Sequence, residues 1–208
     1  MTTKIIMVGY GGHARVLQDI LDQDRNVEMI GYVDLEQKNN TSLRYLGTDD
    51  SIDPYSPHDI FLVNGIGSAS SPVQRQEIYE KFKNKGYTFH SVVHPKALMA
   101  SSVRLSEGVQ MMGGVVINTG TKIGENTIIN TSATIDHDCK IGAHCHIAPG
   151  VTLSGCVEVG ATCHIGTGAS IIQNIIIGDR SLIGAGAVVL KNIPSHVKAW
   201  GVPAVVGS

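Results

Sequence analysis

Residues 123–164 read IGENTI, INTSAT, IDHDCK, IGAHCH, IAPGVT, LSGCVE and VGATCH when cut every six residues. Each hexad opens on isoleucine, leucine or valine, and its fifth position holds threonine, alanine, cysteine or valine. The register continues on both sides of this stretch. Val93, Met99, Leu105, Met111 and Ile117 precede it, and Ile165, Ile171, Ile177, Ile183 and Val189 follow it. Neither a 3.6-residue period nor simple alternation produces a repeat of six. A coil of three short strands does, with three hexads per turn. Successive coils then stack at about 4.8 Å, each hydrogen-bonding to its neighbours. Residues 93–194 supply between five and six such coils. The aliphatic openers pile into an interior column, and the small fifth residues turn inward at tight corners. Glycine often follows the opener, at Gly124, Gly142, Gly160, Gly166, Gly178 and Gly184. The expectation is that glycine fills strained corner positions.

Composition narrows the function classes. Glycine makes up 24 of the 208 residues, about 12% against a usual share near 7%. With 42% hydrophobic residues the chain is expected to fold rather than remain disordered. Sixteen basic and 18 acidic residues give a net charge of −2, which argues against a nucleic-acid binder. No apolar run approaches the ~20 residues of a membrane helix, and no signal peptide is apparent. A cytoplasmic protein is expected. Cys139, Cys145, Cys156 and Cys163 form no C-x-x-C pair. The usual zinc spacing is therefore absent, and free thiols are expected. Cys145 and Cys163, three hexads apart, should stack inside the core as small hydrophobes.

The first ninety residues follow another rule. KIIMVGYGG (4–12) reads as a buried strand ending in a glycine loop, and HARVLQDILDQ (13–23) as the helix after it. EMIGYVDL (28–35) and DIFLVNGIG (59–67) are further strands, and VQRQEIYEKFKNKG (73–86) is a helix stopped by Gly86. Alternating strand and helix predict a small parallel α/β sheet. Gly9, Gly11 and Ala14 fit the G-x-G-x-x-G/A fingerprint, with Asp34 about 20 residues beyond. Those glycines admit a phosphate to the helix N-terminus, and Asp34 can accept a hydrogen bond from a ribose or base. Ninety residues hold one mononucleotide-binding half, so a nucleotide sugar fits better than NAD.

The hexads resemble those of the hexapeptide acyltransferases, whose pattern [LIV]-[GAED]-x-x-[STAV]-x forms a left-handed parallel β-helix. The hand comes from the resemblance, because ordinary crossover rules favour the other one. With VGYGGHARVLQDIL (8–21) in front and GVPA (201–204) behind, the chain from Lys4 to Ala204 resembles two related groups. These are the sialic-acid O-acetyltransferases and the bacterial N-acetyltransferases of nucleotide-linked amino sugars. The resemblance implies a Rossmann-like nucleotide-sugar-binding domain over 1–92 and an acyltransferase β-helix with a C-terminal tail over 93–208. It also implies a homotrimer that uses acetyl-coenzyme A, without a metal, in making cell-surface polysaccharide.

The same resemblance assigns site residues. In the family the base is the histidine of I-[DE]-H-[DE], here Ile135-Asp136-His137-Asp138. Imidazole suits proton removal at neutral pH. Asp138 would hold the ring's other N–H and raise its basicity, although the family more often has glutamate there. Asn130 matches an asparagine that orients acceptor or base. His146 matches a contact to acetyl-coenzyme A, and His164 should stack one coil above it. Gly155, three hexads after His137, places a backbone N–H where an oxyanion develops. Thr167 and Ala185 would meet the coenzyme through backbone. Gly11, Gly12, His13, Asp34 and Leu35 would bind the acceptor.

Other readings stay open at this stage. Three histidines around zinc at a trimer interface mark a carbonic-anhydrase branch of the superfamily, but His144 and His146 should alternate in direction unless a corner intervenes. A non-catalytic nucleotide-sugar-binding scaffold and a nicotinamide-dependent enzyme are alternatives. Whether the acceptor carries an amine or a hydroxyl, and on which sugar, is not specified by the residues.

Overall fold

A computed structural model describes residues 2–39, 41–68 and 71–207. They form two compact units: residues 1–67 with 74–92, and residues 68–73 with 93–208. Among the described residues no helix is long and apolar enough to cross a membrane.

In the first unit β1 (Thr3–Val8), β2 (Val27–Val33), β3 (Tyr45–Gly47) and β4 (Phe61–Asn64) form a parallel sheet in the order β3-β2-β1-β4. The helices are α1 (Gly12–Leu21) and α2 (Val73–Asn84). The sequence reading has three strands. The structure adds β3, a three-residue edge strand too short to show a period. Ile5, Ile6, Met7, Leu62 and Val63 are fully buried, as expected of strands covered on both faces. The strand order reverses between β1 and β4, the kind of switch point at whose carboxyl ends open α/β sheets offer a ligand crevice. Arg75, itself fully buried, donates from Nη1 to the Asn64 and Ile66 carbonyls at 2.8 Å each. Burial pushes the pKa of its guanidinium down to about 9. It fixes the backbone leaving β4.

The second unit is a three-faced solenoid of two-residue parallel strands. The first face runs from Val92–Val93 through Ile128–Ile129 and His146–Ile147 to Leu182–Ile183, where Lys198–Trp200 and Val205–Val206 close it. The second face has six strands, from Leu98–Met99 to Val188–Val189, and the third has five, from Arg104–Leu105 to Ile176–Ile177. Through the coils every ladder steps by three hexads, as Ile129 onto Ile147 onto Ile165. From Met111 onward the openers form the core, with Ile129, Ile135, Ile147, Leu153, Ile165 and Ile183 fully buried, whereas Val93 and Met99, on the end strands of their sheets, stay exposed and Leu105 half-buried.

The corner glycines need correction. Every sixth residue from Gly108 to Gly186 has positive φ, but the positions differ from those the opener glycines suggested. Gly108, Gly114, Gly120, Gly150, Gly168 and Gly186 share this column with Asn126, Ser132, Asp138, His144, Cys156, Thr162, Asn174 and Arg180. The glycines after the openers answer to close approach instead. A Cβ on Gly124 would stand 2.5 Å from the Ala143 nitrogen of the next coil. Backbone proximity, not handedness, selects glycine there.

The fifth-position column also does more than fill space. Thr127 Oγ1 donates to the Gly142 carbonyl at 2.9 Å and accepts from the Cys145 N–H at 3.0 Å. Cys145 and Cys163 take the same place one and two coils on. Their thiols point to the Gly160 and Gly178 carbonyls at 3.0 and 3.1 Å. These cysteines stack in the core as the spacing required, and burial holds the Cys145 thiol well above its usual range. They substitute for threonine as weak donors.

Candidate active site

Four histidines lie on the solenoid between residues 137 and 164, and packing separates one from the rest. His144, His146 and His164 are 6%, 7% and 8% exposed. The His137 side chain is 51% exposed. It stands at the corner after the second-face strand Thr134–Ile135.

His137 is held from both neighbours in sequence. Its backbone N–H donates to Asp136 Oδ1 at 2.8 Å. Its Nδ1 lies 2.9 Å from Asp138 Oδ2. A carboxylate only accepts, so Nδ1 carries the proton and Nε2 keeps its lone pair. The Asp138 hydrogen bond raises the His137 pKa above the ordinary imidazole value, with the Asp136 and Asp138 charges adding to it. Asp136 is kept ionised chiefly by Asn118, whose Nδ2 donates to Oδ1 at 2.8 Å from one coil below. The sequence reading missed Asn118. Its offset of one full coil from Asp136 is the signal that finds it.

Two glycines clear space for the pair. A Cβ on Gly155 would stand 2.5 Å from His137 Nε2, and one on Gly120 would overlap the Asp138 carboxylate. Asp138 itself sits at φ 58°, a left-handed corner that aspartate tolerates better than most residues. The sequence reading has Cys156 only as a free thiol. It is exposed, occupies the corner above Asp138, and places its sulfur with the His137 and Asp138 ligand atoms inside a 4.8 Å group.

Asn130 does not join His137. Its Oδ1 accepts from the Thr131 N–H at 2.8 Å, which orients the amide, and Nδ2 donates to His146 Nε2 at 3.0 Å. His146 Nδ1 donates to the Ser68 carbonyl at 2.7 Å. Both ring nitrogens of His146 therefore have partners within the chain, and residue 68 is anchored to the first face. His164 follows one coil above, its ring 5.0 Å from that of His146 and edge to face. His144 sits at the corner before the His146–Ile147 strand, at φ 57°, so the alternation expected of His144 and His146 along one strand does not apply. It accepts from Asn126 Nδ2 at 3.0 Å. The histidines thus divide between corner and strand and do not converge on a common point. Thr167 and Ala185 lie exposed on the corner between the first and second faces, one coil apart.

In the first unit the glycine loop joins β1 to α1. Gly9, at φ 79°, needs its missing side chain for backbone conformation. Gly11 differs: nothing lies within 4 Å of the Cβ it lacks. It caps α1 without a side-chain hydrogen bond, and no acidic residue occupies the first turn. The N–H groups of such a helix start suit an anion. Gly12 is nearly as open, and His13 is half-buried against Gly67. Asp34 accepts from the Tyr10 N–H at 2.8 Å through Oδ2 and from the Leu35 N–H at 2.7 Å through Oδ1. It pins the loop beside Leu35, which is 91% exposed. Tyr10, Tyr32 and Tyr45 stack behind it at ring separations of 4.4 and 5.4 Å. The sequence carries no sign of that stack, since three tyrosines so far apart share no common period.

Known proteins match the whole chain. The family model described as the PglD N-terminal domain matches residues 4–82, and the bacterial transferase hexapeptide model matches 120–155 and 156–191. A histidine-to-asparagine mutant of perosamine N-acetyltransferase from Caulobacter crescentus, solved with CoA and GDP-perosamine, is 34% identical. The match covers 100% of this chain and 98% of that one, with a TM-score of 0.91. The acetyltransferase domain of PglB from Neisseria gonorrhoeae, in complex with acetyl coenzyme A, is 29% identical over 99% and 100%, with a TM-score of 0.93. WeeI from Acinetobacter baumannii, 23% identical over 99% and 100% with a TM-score of 0.84, shares the fold. With an N-terminal domain of the PglD type and an unbroken hexapeptide solenoid, this chain belongs to the left-handed β-helix acyltransferases and is homologous to the CoA-dependent sugar acetyltransferases.

Proposed function

We propose that this chain transfers the acetyl group of acetyl-coenzyme A to the amino group of a nucleotide-linked amino sugar, with His137 as general base. The observation that carries the reading is the end-to-end match, at 34% identity, to an enzyme captured with CoA and GDP-perosamine. The exposed His137–Asp138 pair supports the chemistry. Nε2 of His137, its lone pair free, takes the proton as the amine nitrogen attacks the thioester carbonyl. The C–N bond forms and the C–S bond breaks, and the proton passes from Nε2 to the departing thiolate. Asp138 holds the tautomer and favours the imidazolium, the role a carboxylate plays in a hydrolase triad. Gly155 borders Nε2 closely enough for its backbone N–H to face the oxyanion.

The remaining roles follow from placement. Gly11, Gly12 and His13 receive the diphosphate, and Asp34 with Leu35 borders the nucleoside. The first domain, residues 1–92, binds the acceptor, and residues 93–208 bind the coenzyme along Thr167 and Ala185. With both of its nitrogens spent, His146 backs the acyl site and seats residue 68; Asn130 sets its tautomer. A homotrimer in the cytoplasm fits this use of the fold.

The test is direct. Purified protein is given acetyl-coenzyme A with GDP- and UDP-linked 4-amino sugars or with sialic acid, while thiol release and product mass are followed. An N-acetylated nucleotide sugar is expected. Acetylation of sialic acid alone, or coenzyme binding without transfer to any acceptor, would overturn the assignment.

A further inference from the structure

A second concave site lies on the solenoid unit, away from the His137 corner. It is a cavity of about 220 Å³ whose polar lining comes from Ser71, Thr162, His164, Arg180, His196 and Lys198. All of these belong to one compact unit. No aspartate or glutamate lines the cavity, although the chain carries a net charge of −2. Arg180 and Lys198 are exposed, and among the described residues neither forms an ion pair. What sets the pair apart is that both cations line the same small concavity, with two histidines and no acidic side chain.

The backbone adds to the pattern. Arg180 and His196 both sit at left-handed corners, φ 55° and 62°, where glycine or asparagine is easier to accommodate. Below them His164 is nine-tenths buried. Its Nδ1 is 3.4 Å from Ser68 Oγ, and Nε2 has no hydrogen-bond partner among the described residues. Burial lowers its pKa, so the ring is neutral and carries a single proton whose place its partners decide. The Ser68 hydroxyl can donate to Nδ1, which leaves Nε2 able to carry that proton. The cavity is smaller than the roughly 300 Å³ at which whole-ligand pockets begin. It suits one charged group of a ligand.

We propose that this cavity binds a phosphoryl group, with Arg180 and Lys198 supplying charge and His164 Nε2–H and the Thr162 and Ser71 hydroxyls supplying directed contacts. The phosphoryl group has three chemical sources: coenzyme A, a nucleotide diphosphate, or free inorganic phosphate or pyrophosphate. Charge-assisted hydrogen bonds of this kind are the strong ones.

Calorimetric titration of the full chain with inorganic pyrophosphate tests the proposal without reference to acetyl transfer, so its failure would leave the proposed function standing. Arg180→Asn keeps a residue that accepts the left-handed corner, and Lys198→Gln keeps most of the side-chain length. Each is expected to weaken binding about tenfold, and the pair together about a hundredfold. Both lie outside the catalytic machinery and are expected to retain the wild-type circular dichroism and melting temperature. Absence of saturable pyrophosphate binding to the wild type, or equal binding to the folded double variant, would overturn it. Competition then names the source. Displacement by coenzyme A but not by 3′-dephospho-coenzyme A identifies the coenzyme's 3′-phosphate, and displacement by GDP identifies the acceptor's diphosphate. Binding that survives both identifies a site for the free anion.

Discussion

Gly155 and His137 stand one coil apart and directly stacked, so that a Cβ on the glycine would lie 2.5 Å from Nε2 of the histidine. The ring keeps its place because the next coil offers no side chain there. Gly155→Ala must therefore displace the imidazole, while the backbone, which has no positive φ at this residue, needs no change. Turnover is expected to fall at least tenfold with the melting temperature within a few degrees of wild type. Steady-state kinetics beside a thermal melt would show it. Full activity in the alanine variant would mean that Nε2 is not where the chemistry occurs.

The His137–Asp138 pair predicts a pH dependence of definite sign. The base works unprotonated, so the rate climbs as pH rises through the His137 pKa. Asp138 raises that pKa. In Asp138→Asn the carboxylate's support is gone, the pKa falls, and the acid limb of kcat/KM shifts to lower pH. Asparagine suits the φ of 58°, which keeps the corner intact. His137→Ala should lose about 10²–10⁴ in kcat with coenzyme binding nearly unchanged. A limb that stays put in Asp138→Asn would detach the aspartate from the base.

Two glycines on the solenoid should respond oppositely to substitution. At Gly124 a Cβ would press into the Ala143 nitrogen and the Gly142 carbonyl carbon, both at 2.5 Å. Gly124→Ala is expected to cost about 2–4 kcal/mol, since backbone on both sides must move. Gly150 has φ 68° and nothing within 4 Å of an added Cβ. Gly150→Asn should cost under about 1 kcal/mol. Denaturant melts of both variants decide the matter, and the reverse order would refute the distinction between close approach and corner strain.

That distinction marks where the sequence was legible and where it was not. The six-residue period identified the solenoid, its three-hexad coil and the inward stacking of Cys145 on Cys163, because each depends only on spacing. The pairing of His137 with Asp138 came from the family resemblance rather than from spacing, and the contact is present at 2.9 Å. What spacing does not carry is the direction of a side chain at a corner. Asn130 matched a family asparagine that orients acceptor or base, and nothing in the spacing signalled the hydrogen bond of its amide to His146. Asp34 fitted a hydrogen-bond acceptor for a ribose, and nothing in the spacing signalled that its two oxygens also hold the Tyr10 and Leu35 N–H groups. Asn118 and Gly120 escaped notice, and Cys156 was read only as a free thiol, although each lies one full coil from a residue already singled out. A coil-by-coil reading of every candidate's neighbours above and below would have found all three.

The glycine loop yields a ligand prediction. Gly11 has open space where its side chain would be, at the uncapped start of α1. A nucleotide diphosphate bound there should protect the protein against heat. At 100 times the dissociation constant the stabilisation is about 2.7 kcal/mol. Gly11→Glu would place a carboxylate where the phosphate belongs and abolish the shift with little change in the unliganded melt. Protection by NADH and none by GDP or UDP would assign the crevice to a dinucleotide instead.

The last prediction concerns where one protomer's site ends. His137 occupies the corner after the second face, whereas Thr167 and Ala185 occupy the corner before it. One prism presents these two corners in different directions. Three prisms about a three-fold axis, each turning its second face inward, would set the first corner of one copy against the second corner of the next. Closed symmetry then makes three equivalent sites, each with the base from one chain and the coenzyme groove from another. Mixing His137→Ala with Ala185→Trp, whose indole would obstruct the groove, tests this arrangement. Each parent alone is inactive in every site. In mixed trimers some interfaces pair an intact His137 with an intact Ala185, so activity should return in proportion to subunit exchange. If exchange is verified by mass and activity stays at the level of the parents, base and groove belong to the same chain.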